Sequence, residues 1–276
     1  MGRNFSALGW IPRTIPMILL SGNHEYPIRK HVRRDAFELF HLWRPQFTLP
    51  ENGPDCLKET TYSIDFQGAK VVMLNGNEEF AEKAKWLDRV LTENTQTWTI
   101  MGIHQPFYCS GKHRKNSRLT HLLIPILDEH AVDLVLQGHE HLYCRSYKLR
   151  NEKRVAPGEK GTVYAFSICG PKFSDATANS DGLMAKIETG RQFFQMIRIE
   201  PDRLLSESFD AMGVKHDSFS FQKDPHESIP EKRLFGVQLC CSKRFKKRGN
   251  SSLKPLFSLD LPLQDGYKAS LDPDLI

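Results

Sequence analysis

The chain has 276 residues, 39% of them apolar and 10% aromatic, which is enough to bury a core and excludes a disordered or fibrous protein. Its longest apolar runs are far short of the ~20 residues a membrane helix needs, and the opening MGRNFSALGWIPRTIP has no continuous apolar segment, so neither a transmembrane span nor a signal peptide is read in it. The formal net charge of +5 gathers in a late run, SKRFKKR at 242–248, which has no aromatic platform beside it and reads as a solvated face rather than a nucleic-acid interface.

In chain order, the apolar run IPMILL at 15–20 reads as a buried strand and is followed at once by SGNHEYP. Residues 33–43 carry Phe37, Phe40 and His41 at helical spacing, and RPQFTLPENGPD breaks that pattern with three prolines and a glycine. TTYSIDF and AKVVMLN, joined by two residues, predict a hairpin. Residues 79–93 place Phe80, Ala84, Leu87, Val90 and Leu91 on one helix face, to pack on a sheet. TWTIMGI is the next strand, with His104 directly after it. A second amphipathic helix at 119–129 presents Leu122, Leu123, Ile126 and Leu127, and AVDLVLQ follows as another buried strand, ending at GHEH. Later strands are predicted at 162–168, 193–199 and 203–209. Beyond residue 224 the pattern fades into proline, serine and charge. Strands alternating with helices early and dominating late predict a mixed α/β layer fold. There is no internal repeat, Walker loop or GxGxxG, and the six cysteines show no CxxC spacing, so free buried thiols are expected.

Three predicted strands thus end in loops with potential ligands: Asn23 and His24 after the first, His104 after the second, His139 and His141 after the third. In one sheet, their carboxyl ends would form a common rim, where α/β proteins hold ligands. A glycine lies within three residues before each histidine, and glycine lets backbone approach a metal or phosphate closely. Neutral imidazole suits zinc, iron and manganese, and the Asn23 amide adds a hard oxygen donor, which points to a transition-metal hydrolase.

These residues carry a resemblance. GNHE at 22–25, MGIH at 101–104 and GHEH at 138–141 resemble the last three of five metal-binding blocks in the calcineurin-like metallophosphoesterases, most closely the purple acid phosphatase branch, whose blocks read GNH(E/D), VxxH and GHxH. WLDRVL before the second block and FFQMIRIEPDRLLSESFDAMGVKHDSFSFQK after the third are similar to the same branch, so the likeness spans residues 10–223. It implies a four-layer α/β/β/α sandwich, a dinuclear centre of iron with zinc, manganese or iron, and hydrolysis of phosphate monoesters in the manner of an acid phosphatase. A phosphodiesterase of the same superfamily is the alternative. By position, Asn23, His104 and His139 would bind one ion and His141 the other. His24 would face the substrate as proton donor to the leaving alkoxide, with Glu25 orienting or tuning it. His113, with Arg114 and Lys115, would meet the substrate phosphate, and Tyr108 would line the same mouth; Tyr143 and Arg145 would pack or hydrogen-bond beneath GHEH. Relatives of this branch are commonly exported, so a periplasmic or extracellular parent is expected.

The two earlier family blocks, GDxG and GDxxY, which supply aspartates and a tyrosine to the ions, are absent from this sequence. The expectation is therefore an N-terminally truncated domain over 1–223 with a tail over 224–276, holding one ion or none. The alternative from another class is a non-catalytic remnant that keeps a partial metal site and binds one ion or a phosphorylated partner.

Overall fold

The computed structural model describes residues 9–26, 39–108, 117–156, 158–176 and 182–223, and the backbone of 233–235. Strands β1 (Tyr62–Phe66) and β2 (Ala69–Leu74) form the predicted hairpin, in register from Tyr62↔Met73 to Phe66↔Ala69. Its linking residues Gln67 and Gly68 have φ of 46° and 82°, the doubly positive pair that matches strand twist in a two-residue turn. The chain continues through helix α1 (Phe80–Thr92), β3 (Trp98–Ile103), helix α2 (Ser117–Glu129) and β4 (Leu134–Gln137). Here β2, β3 and β4 lie side by side and parallel. Helices on one face and a second sheet on the other bury these strands from both sides, which is why each reads as an unbroken apolar run.

Strand β5 (Tyr143–Ser146), the small pair β6 (Leu149–Arg150) and β7 (Lys153–Arg154), β8 (Val163–Phe166) and β9 (Met184–Glu188) follow. The seven-stranded sheet runs β1-β2-β3-β4-β8-β5-β9. The second sheet has four strands, β10 (Phe193–Ile199), β11 (Arg203–Asp210), β12 (Lys215–Gln222) and β13 (Arg233–Phe235), in the order β12-β11-β10-β13.

Side chains alternate across the central strands, so each face has its own core. Val72, Leu74, Met101, Ile103 and Val135 meet Trp86, Leu87 and Leu91 of α1 and Leu119, Leu123 and Leu127 of α2. The opposite face sets Trp98, Ile100, Leu134, Leu136 and Val163 against Ile197, Leu204 and Phe221 of the second sheet. Helices, sheet and sheet are the layers among the described residues, and the mixed α/β sandwich is confirmed.

Some expectations are corrected. Residues 15–20 are not a strand: among the described residues they have no ladder partner, and Ile18 and Leu20 pack against Tyr62, Val71 and Met73. The expected helix at 33–43 lies outside the described residues up to 38; from there the chain turns and makes a single helical turn, Trp43–Gln46, which starts on the last residue of that expected helix and runs into the stretch read as a breaker. In α2 it is Leu119 and Ile124 that join Leu123 and Leu127 in the core, whereas Leu122 is 37% exposed. Strands β5, β9 and β12 were not foreseen, because β9 and β12 are only half-buried and β5 begins within the polar surroundings of GHEH. Among the described cysteines Cys144 is buried, but Cys56 is exposed. Beyond residue 224, the described backbone of β13 pairs with β10; the basic run at 242–248 lies outside the described residues.

Candidate metal centre

Two neighbouring strands and one unpaired segment converge at one end of the seven-stranded sheet. β3 ends at Ile103 and hands over to His104; β4 ends at Gln137 and hands over to Gly138 and His139. The third contributor is the one-turn helix Asn23–Glu25 that follows the extended segment. The rim is thus built from two strands and a docked segment rather than from three strands.

The Asn23 Oδ1 atom lies 2.9 Å from His104 Nε2 and 3.3 Å from His139 Nδ1, and the two ring nitrogens are 3.2 Å apart. Donors held at about 2.0–2.2 Å from one shared ion would be separated by roughly 3.0–3.4 Å, so this triangle has the dimensions of half a coordination sphere. An amide oxygen and two imidazole nitrogens bind an ion in their neutral forms. His104 is buried, His139 half-buried and Asn23 exposed, which leaves the triangle closed towards the protein and open towards solvent.

Local backbone geometry sets these positions. A Cβ on Gly22 would stand 3.0 Å from His104 Cε1 and Nδ1, and one on Gly138 would stand 3.0 Å from His104 Nδ1, so the ring is wedged between two glycines. His139 has φ of 70°, and the Glu140 N–H donates to the Gly138 carbonyl at 2.8 Å across it. This is the positive-φ γ-turn, a strained arrangement that persists where surrounding structure enforces it, and such outliers gather at functional sites. Glu25 is buried, and its Oε2 accepts from the Gly22 N–H at 2.8 Å, which closes the Asn23–Glu25 turn. His24 is exposed on that turn beside Asn23.

Of the other expected site residues, His141 is buried and its carbonyl accepts from Ser174 N at 2.9 Å. Among the described residues no group of three or more His, Cys, Asp or Glu side chains is placed to hold an ion. His113, Arg114 and Lys115 lie outside the described residues. Tyr108 does not line the mouth: it is buried edge-on against Tyr164, with ring centroids 4.7 Å apart, and burial pushes its hydroxyl pKa up. Tyr143 and Arg145 do hydrogen-bond beneath GHEH, to Asp217.

Sequence reasoning overlooked Asn75, Asn77 and Gln105. Asn75 follows β2 as His104 follows β3, so the strand-end rule that found the histidines also points to it. These amides form a hydrogen-bonded group behind Gly22 and Tyr26.

With fold and cluster in view, the comparisons converge. The family profile for calcineurin-like phosphoesterase matches residues 2–143, and the chain belongs to that family. Within it, the similar curated proteins include several purple acid phosphatases. Purple acid phosphatase 15 of Arabidopsis thaliana is 24% identical over 58% of this chain and 28% of its own length. Probable purple acid phosphatase 20 of the same plant is 25% identical over 62% of this chain and 39% of its own. Fe(3+)-Zn(2+) purple acid phosphatase 12 is 26% identical over 49% and 30%. The chain thus spans well under half the length of these relatives. Among solved structures, the purple acid phosphatase PPD1 of yellow lupin (Lupinus luteus) superposes with a TM-score of 0.64 at 17% identity, over 76% of this chain and 41% of that one, which establishes the shared fold.

Proposed function

We propose that this chain carries the metal-binding rim of a phosphoesterase of the acid phosphatase type, acting on phosphate monoesters. The observation that carries this reading is the Asn23, His104 and His139 triangle on a calcineurin-like phosphoesterase fold. Those three residues would hold one ion of iron, zinc or manganese, with His141 serving a second. A bound ion would supply Lewis acidity and lower the pKa of water at the site. The chain's own residues do the rest. Three neutral donors leave the charge of an ion uncancelled, so the open side of the rim favours an anionic phosphate over a neutral ester. In this reading His24, exposed on the turn beside Asn23, gives a proton to the departing alkoxide. Glu25 holds that turn closed through Gly22. Substrate contact by His113 and Arg114 belongs to the same reading.

The test is to load the purified chain with iron, zinc or manganese, count ions per chain, and follow p-nitrophenyl phosphate and bis-p-nitrophenyl phosphate in parallel. At least one ion per chain, lost in His104→Ala and His139→Ala, with preferential monoester turnover lost in His24→Ala, is the expected result. A chain that binds no ion sinks the reading, and preference for the diester shifts it to the phosphodiesterases. The lack, among the described residues, of any cluster of three His, Cys, Asp or Glu side chains favours a second reading, in which one ion binds without turnover.

A further inference from the structure

We infer that Asn77, backed by Asn75, is the positioning residue that sets the Asn23 carboxamide against the two imidazoles; this rests on the metal-site reading above. Among the described residues, 15–20 pair with no strand, so no ladder of backbone hydrogen bonds within them determines where the Asn23 turn sits. Side chains do so instead: Tyr62 holds the backbone of Leu19 upstream, and the loop after β2 holds the turn itself. Asn77 Nδ2 donates to the Gly22 carbonyl at 3.3 Å, and Asn77 Oδ1 accepts from Gln105 Nε2 at 2.7 Å. Gly22 directly precedes Asn23, and Gln105 directly follows His104. A single carboxamide therefore joins the neighbours of two of the three donors.

The orientation of Asn77 is determined by its surroundings. A carbonyl only accepts, so the Asn77 nitrogen must face Gly22 and its oxygen must face Gln105. Asn77 N and Nδ2 also donate to Asn75 Oδ1 at 2.9 and 3.0 Å. Asn75, wholly buried, in turn donates from Nδ2 to the Tyr26 hydroxyl at 2.6 Å and to Thr60 Oγ1 at 3.2 Å. Asn77 thus holds the entrance of the turn at Gly22, and Asn75 holds its exit at Tyr26. Gly76, between the two asparagines, is where the Gln105 side chain crosses the loop: a Cβ there would lie 1.7 Å from Gln105 Oε1. The loop is shaped to admit this side chain.

The experiment is a titration of the full chain with divalent cobalt, read both as affinity and as the visible absorption of the bound ion, in Asn77→Ala and in Asn77→Leu, which keeps the side-chain volume. Both are expected to weaken cobalt binding about 10- to 100-fold, the usual effect of losing a residue that orients a ligand, and to leave a spectrum matching that of Asn23→Ala. Adding Asn77→Ala to Asn23→Ala should then cost nothing further, a non-additivity that a merely structural role would not produce. Wild-type affinity and spectrum in both single variants, or an equal loss in the Asn23→Ala background, would overturn the positioning role alone. Failure of the unaltered chain to bind cobalt would overturn the metal-site reading and this role with it.

Discussion

The His104 ring touches glycine on both sides, and that contact shows how far single residues could be read in advance. The strand-end pattern picked out Asn23, His104 and His139, and the structure brings those three together. The same pattern could not show that His139 takes a left-handed backbone, since φ of one residue depends on the turn around it. Nor could it show Lys83. This lysine lies within the predicted α1 segment, yet it is fully buried, its Nζ has no hydrogen-bond partner among the described residues, and it sits 4.6 Å from the Phe80 ring centroid. Burial pulls its pKa down from 10.5 to about 7, with Glu78 and Glu79 offsetting only part of the effect. The folded pKa lies below the unfolded one, so between those values the unfolded chain binds the extra proton and stability rises with pH. Lys83→Met should therefore stabilise the protein by on the order of 3–5 kcal/mol at pH 6, with the gain shrinking towards zero above pH 10.5. Urea unfolding at several pH values checks this, and a pH-independent difference would count against a buried neutral amine.

At the level of elements, periodicity located the hairpin, both long helices and the parallel strands, since their cores lie along single faces or runs. It failed for residues 15–20, whose composition is that of a strand but whose described neighbours form no ladder with them. A strand exists by pairing, and pairing is not local. What holds the segment is Tyr62, buried at the start of β1: its hydroxyl donates to the Leu19 carbonyl at 2.6 Å and accepts from the Leu19 N–H at 3.1 Å. Tyr62→Phe leaves both backbone groups without that partner and is expected to lower stability by about 1–3 kcal/mol. Hydrogen exchange at the Leu19 amide should accelerate in the same variant. Unchanged exchange there would mean that other contacts seat the segment.

Across the whole molecule the two sheets are tied by polar as well as apolar contacts. Arg145 on β5 grips Asp217 on β12 through two nitrogens, at 2.6 and 3.1 Å, and the Tyr143 hydroxyl donates to the same carboxylate at 2.8 Å while accepting from Ser208 Oγ on β11 at 2.9 Å. Burial works against the Asp217 carboxylate, but Arg145 and Tyr143 outweigh it and hold its pKa below the usual range. A depressed carboxyl pKa contributes stability above its unfolded value that is lost as pH falls through the folded one. Asp217→Asn should accordingly cost about 1–3 kcal/mol at pH 7, and the difference from wild type should narrow in acid below pH 3.8. A cost that persists unchanged at low pH would remove the ion pair as its cause. The linear order of residues was enough to point to the α/β class, the family and the cluster of Asn23, His104 and His139, because periodicity and short motifs are local. Tertiary structure alone decided that the Asn23 turn is seated by Tyr62, Asn75 and Asn77 rather than by strand pairing. It also decided that Arg145 meets Asp217, because each of these contacts joins residues that only the folding of the sheets brings into reach.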